Sequence, residues 1–200
     1  SHPRLYLGMP ERRRLKGPFR LPLLRAAHAE VARIAEEALA GPRFEWVRNT
    51  HNAHLLRARR MQGRVVSLLA RWTQTDDARF RDAGLAHLLE MGRWPYWSWI
   101  AWRRNQRAPD AIFDLSYGEN AATLAIGYDW LYETLSPPER AALLNVMRRP
   151  VAAFMAHTAS GARAWWFGKA DSNWNSVCAG GAGLLALAGY EELPEAARIL

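Results

Sequence analysis

The stretch DSNWNSVCAGGAGLLALAG, from Asp171 to Gly189, places two asparagines around a tryptophan just ahead of an apolar run. A helix N-terminus offers free N–H groups and the positive end of the helix dipole, so it favours an anion. Carboxamides at Asn173 and Asn175 add neutral donors that can hold a carboxylate without introducing a competing base. Behind them, Ala179, Gly180, Gly181, Ala182 and Gly183 carry little or no side chain, which lets another backbone or a ligand come close. The same residues also suit a structural role, an asparagine cap followed by tight helix packing.

Two further stretches carry candidate chemistry. In ARAWWFGKADSNW, Arg163, Trp165, Trp166 and Lys169 set aromatic rings beside cations, a combination suited to a sugar acid. The rings stack on the sugar face and the cations meet its carboxylate. The alternative is a loop pinned into the core by its tryptophans. In DLSYGENAATLAIGYDWLYETL, Tyr117, Glu119 and Asn120 open a helix, where a tyrosine or glutamate can act in proton transfer. Residues 128–132 of that stretch read as buried aromatics. His51 and His54 stand three apart without a third ligand at a diagnostic spacing, so no metal is expected in this chain. His87 and His157 read as structural. Nucleotide-binding, metalloprotease and serine-hydrolase motifs are absent.

Helices must position these residues. Apolar spacing predicts helices over residues 23–40, 52–72, 76–92, 118–134 and 175–188, with another starting after Pro194. In SPPER, Ser136 is a natural N-cap, Pro137 fits the first helical position and Glu139 completes a capping box. That helix is expected to reach toward Ala159 and to bend or end at Pro150. The segment RWPYWSWIAWRRNQRAPD reads as a break with short helical turns. No strand-period segment of any length occurs. The fold class is therefore all-α, one helical domain over residues 1–200 arranged as a stack, bundle or toroid of paired helices.

Composition narrows the partner. Residues 1–110 carry a net charge of +11 and residues 111–200 carry −3. A basic half suggests a polyanion, although arginine at 25 of the 27 basic positions also fits a coding bias. No nucleic-acid-binding motif accompanies the charge. No run of eighteen apolar residues suggests a membrane span. Ten tryptophans occur, four of them within residues 94–102. The lone cysteine, Cys178, excludes an internal disulfide and reads as a small buried hydrophobe. The chain opens without a signal-peptide pattern and stops mid-pattern at PEAARIL, as expected for the N-terminal part of a longer protein.

HPRLYLG, DLSYGENAATLAIGYDWLYETLSPPER and SNWNSVCAGGAGLLALA, in that order, resemble the N-terminal helical domain of heparinase II/III-type polysaccharide lyases, a group that includes oligoalginate lyases. The resemblance spans nearly the whole chain. It implies an incomplete (α/α) toroid followed by a downstream β-sandwich, and β-elimination at a uronic acid. A base removes the C5 proton, the C4–C5 double bond forms, and the glycosidic oxygen leaves from C4. Donors preorganised around the carboxylate stabilise the intermediate, and the resemblance places Asn173 and Asn175 in that role. Many members of the family carry an Asn-His pair here, whereas Trp174 follows Asn173 in this chain and is expected to line a sugar subsite. The family's tyrosine acid/base and further histidine lie beyond residue 200.

The expected partner is an acidic polysaccharide or oligosaccharide, with Tyr117, Glu119, Asn120, Arg163, Trp165, Trp166, Lys169 and Trp174 at the substrate. No cofactor is expected within these residues, and a metal in the downstream domain stays open. A periplasmic or secreted location is expected, with the leader absent from this chain, and the cytoplasm is the alternative. Two other readings compete: an (α/α)-barrel hydrolase using a carboxylate pair from Asp114, Glu119, Asp129 and Asp171, and a non-catalytic basic module that binds acidic glycan.

Overall fold

The computed structural model describes residues 2–41, 43–159 and 164–200. Eight α-helices and two short 3₁₀ turns make up these residues, and no strand occurs among them. The helices are α1 (Met9–Leu15), α2 (Pro22–Ala40), α3 (Ala53–Thr75), α4 (Ala78–Met91), α5 (Trp99–Arg103), α6 (Leu115–Leu131), α7 (Pro137–Thr158) and α8 (Asn173–Ala188). The all-α expectation therefore holds. No described helix is long and apolar enough to cross a membrane.

Helix α6 is the centre of the fold. Nearly all its residues are buried, the polar Ser116, Asn120, Thr123 and Asp129 among them, so it is stable only when surrounded. Its most extensive partner is α8, followed by α3. The α6–α8 contact depends on Gly118 and Gly181. A Cβ on Gly181 would stand 2.1 Å from the Gly118 carbonyl oxygen, and one on Gly118 would stand 2.5 Å from that of Val177. The small residues after Asn175 thus admit a second backbone, one of the two uses the sequence allowed.

Several boundaries differ from expectation. The capping box at Ser136 and Glu139 is present, with the Ser136 N–H donating to Glu139 at 2.8 Å. The helix it opens does not end at Pro150 but runs on to Thr158. Met147, Val151 and Phe154 on either side of the proline are buried in the core, and their burial offsets the helix hydrogen bond that proline cannot make. The opening segment also folds a short helix, α1, which its proline content had masked. After Pro194 there is only a 3₁₀ turn, Ala196–Ile199.

Helix α8 begins two residues earlier than expected. Ser172 takes the N-cap position, so Asn173, Trp174 and Asn175 are the first three helical residues rather than its cap. This places Trp174 on the helix surface in its first turn.

Candidate functional site

Trp174 organises the surface at the start of α8. Its ring centroid lies 5.3 Å from that of Trp99 and 5.1 Å from that of Trp165. The Lys169 ammonium stands 5.8 Å from the Trp165 ring centroid. Trp99, Ile100, Arg103, Arg104 and Trp174 line a cleft of about 390 Å³. The result is a row of three tryptophans with cations at both ends. Trp165 is exposed, Trp174 half-buried and Trp99 buried beneath them, so Trp165 and Trp174 are the rings within reach of a sugar that carries negative charge.

Asp114 holds one side of this row in place. It is fully buried and caps α6 by accepting from the Ser116 N–H at 2.9 Å. Its other oxygen accepts from the Ser98 hydroxyl at 2.6 Å and from the Ile100 N–H at 3.1 Å. Ser98 in turn caps α5, accepting from the Ala101 N–H. One carboxylate thereby locks the start of α5, and with it Trp99, onto the start of α6. Burial pushes the Asp114 carboxyl up to about 6, against four hydrogen bonds that favour its charged form.

Asn173 is exposed in the first turn of α8. Asn175 is half-buried, and its Oδ1 accepts from the Gly168 N–H at 3.1 Å, which ties the preceding loop to the helix. Asn173, Ser176, Gly180 and Leu187 form one exposed face of α8. Ser176, Gly180 and Leu187 border a second groove of about 570 Å³, with Glu119 and Ala122 of α6 and Tyr6 on its other side. Glu119 is half-buried there and pairs with Arg59 at 3.0 Å.

Three expected substrate residues lie elsewhere. Tyr117 is wholly buried against Trp97 and Phe113, and its hydroxyl donates to Asp110. Burial drives that hydroxyl well above its ordinary pKa, so it is not a base at this surface. Trp166 is buried among Phe113 and Phe154, the loop pin that the sequence offered as its alternative role. Asn120 is fully buried with neither amide atom partnered. Each falls on the inward face of its element, a fact that composition does not carry. Arg163 lies outside the described residues.

The carboxylates needed for hydrolysis are largely committed. Asp114 is the buried cap just described. Asp129 is also buried, and its two oxygens accept from the backbone N–H groups of Arg4 and Leu5 at 2.8–2.9 Å. It is a clamp for the N-terminal segment. Asp171 is exposed.

Nothing in the sequence pairs Arg103, Arg104 and Trp99 with Trp174, some seventy residues away. The tryptophan cluster at residues 94–102 was the usable signal. One group of residues among those described brings metal-type ligands together: His2, Glu191 and Glu192, with one ligand atom from each within 4.8 Å of the others. His51 is exposed and His54 is buried among Trp46, Tyr96 and Trp102, so the two do not form a pair. No protein-family model matches the chain, and no curated protein matches it.

Proposed function

We propose that these residues are the helical part of a polysaccharide lyase that cleaves a uronic-acid-containing chain by β-elimination. The toroid arrangement and a downstream β-sandwich belong to the same proposal. The observation that carries it is Asn173, exposed in the first turn of α8 and next in sequence to Trp174 of the Trp99–Trp174–Trp165 row. The row binds sugar rings, and Arg103, Arg104 and Lys169 attract the polymer's negative charge. Asn173 and the α8 N-terminus supply donors to one carboxylate, the group on which charge gathers when the C5 proton leaves. Asn175 acts behind them by holding the loop that carries Trp165 and Lys169.

A second reading, a module that binds acidic glycan without cleaving it, draws on the burial of Tyr117. With its hydroxyl engaged by Asp110, Tyr117, expected at the substrate, does not reach this surface and supplies no proton transfer there.

The test is ultraviolet absorbance on incubation of the protein with a panel of uronate polymers. Elimination creates a C4–C5 double bond conjugated to the carboxylate, and hydrolysis creates none. A rise that falls about 100-fold in Asn173→Ala, with polymer binding kept, is the expected result. New reducing ends without a rise would establish a hydrolase. Retained binding that weakens about tenfold in Trp174→Ala, with no cleavage of any polymer, would establish the binding module instead.

A further inference from the structure

Residues 2–7 lie against the ends of α6 and α8 through an uncommon set of contacts. His2 is 7% exposed, and its Nδ1 lies 2.6 Å from Asp129 Oδ1. Its imidazole stacks on Tyr132 with centroids 3.8 Å apart. That arrangement leaves His2 Nε2 buried without a partner. Glu192 accepts from the Tyr132 hydroxyl at 2.6 Å through Oε1, while its Oε2 is buried and unpartnered. The hydroxyl of Tyr128, whose ring meets that of His2 edge-on, is buried without a partner as well. Three orphaned polar atoms on residues that contact one another are costly. Each unsatisfied buried group costs about 1–3 kcal/mol, and such groups commonly mark an ion or water in the folded protein.

We propose that His2, Glu191 and Glu192 bind a divalent transition-metal ion of the zinc type. One imidazole nitrogen and two carboxylates match zinc's preferred donors and leave a fourth position for water. Calcium and magnesium, which take oxygen ligands, would not select the imidazole. With the Asp129 carboxylate on Nδ1, Nε2 is the imidazole nitrogen left to ligate. This is the arrangement by which a carboxylate orients and strengthens a metal-binding histidine. Glu191 already holds Arg4 at 2.8 Å through Oε1 and would ligate through its other oxygen. The ion would fasten the N-terminal segment to the loop after α8, joining the two ends of the described chain. This site is separate from the tryptophan row and stands whether or not the protein is a lyase.

The experiment uses protein without a histidine tag, stripped with chelator and titrated with Zn²⁺ by calorimetry and with Co²⁺ by visible absorption. One ion per chain is expected, with Co²⁺ giving the intense bands of a four-coordinate site. Glu192→Gln keeps an acceptor for Tyr132 and the shape of the side chain, and is expected to weaken Zn²⁺ binding at least tenfold with the fold intact. His2→Ala is expected to abolish it. Glu195→Gln, on the nearby 3₁₀ turn and paired with Arg148, is expected to change nothing. Absence of stoichiometric uptake, or equal affinity in Glu192→Gln, would overturn the site and leave a buried water as the partner of the orphaned atoms.

Discussion

Two buried ionisable residues respond to acid in opposite directions. His54 is 4% exposed, and burial first, then the neighbouring Arg57 charge, lowers its pKa to about 3 from 6.5. Below pH 6.5 the unfolded chain binds a proton at this site that the folded chain refuses. His54 therefore removes stability as pH falls, about 2 kcal/mol by pH 5. Asp114, raised by burial to about 6 from 3.8, has the opposite sign. Between those values the folded chain holds the extra proton, so stability rises as pH falls from 7 toward 4, by about 1 kcal/mol at pH 5. Over pH 7 to 5 Asp114 offsets only part of the His54 loss, leaving a net loss of about 1 kcal/mol. In His54→Leu only the Asp114 contribution remains, and chemical denaturation should show a variant more stable at pH 5 than at pH 7. Curves for variant and parent that stay parallel would refute this assignment. None of this is legible in the sequence, where His54 stands only as half of a weak metal pair, because its burial comes from Trp46, Tyr96 and Trp102, which lie on other segments.

Among the helices, the decisive contact is α6 on α8. Two glycines 63 residues apart touch backbone to backbone, and each has a neighbour whose position the other determines. An added methyl at Gly181 meets the main chain of Gly118, which has no side chain to move aside. We expect Gly181→Ala to cost about 3 kcal/mol, lowering the melting temperature by roughly 6–12 °C in a domain of this size. Gly183, two residues on, has nothing within 4 Å of an added Cβ. There Gly183→Ala should stabilise by about 0.5–1 kcal/mol, because alanine loses less backbone freedom on entering a helix. Melting followed by circular dichroism separates the two, and loss of stability in both would remove the special status of the Gly118 contact. The sequence marks this stretch as built for close approach, since Ala179 to Gly183 are all small. Which glycine meets a backbone and which borders a groove depends on the rotation of α8 about its axis. The same limit governs Tyr117 and Asn120, whose types suggest chemistry but whose position on α6 turns them inward. The two-residue error at the start of α8 is local in origin, because Ser172 and Asn175 are both good cap residues and only the loop geometry decides between them.

Over the whole molecule, the charge asymmetry of the sequence does not say where a polyanion binds. Arginines of the first half are spread over several exposed surfaces, from Arg13 and Arg14 on α1 to Arg59 and Arg60 on α3. Many are already paired: Arg33 with Glu30 and Glu37, Arg59 with Glu119, Arg79 with Asp77. The groove between α2 and α3 carries Arg43, Arg60 and Arg64, yet Glu37 and Glu45 also line it, and Arg64 donates to the Gly41 and Arg43 carbonyls. The cleft at Trp99 and Trp174 differs in that its two lining charges, Arg103 and Arg104, are exposed and face no acid in its lining. A diffuse basic field and a local cleft then give different salt dependences. Exposed charges more than a Debye length from the ligand are screened at physiological ionic strength, so distant arginines contribute little there. Each cation in direct contact with the polymer releases roughly one counterion, as it does on other polyanions. The double variant Arg103→Ala/Arg104→Ala should therefore reduce the slope of log affinity against log salt by about 2, while Arg13→Ala/Arg14→Ala should leave it unchanged. Affinity for a uronate polymer measured over a series of salt concentrations decides between them. Equal changes in both variants would mean that the polymer is held by the charge of the whole basic half, and the tryptophan row would lose its claim to be the binding site.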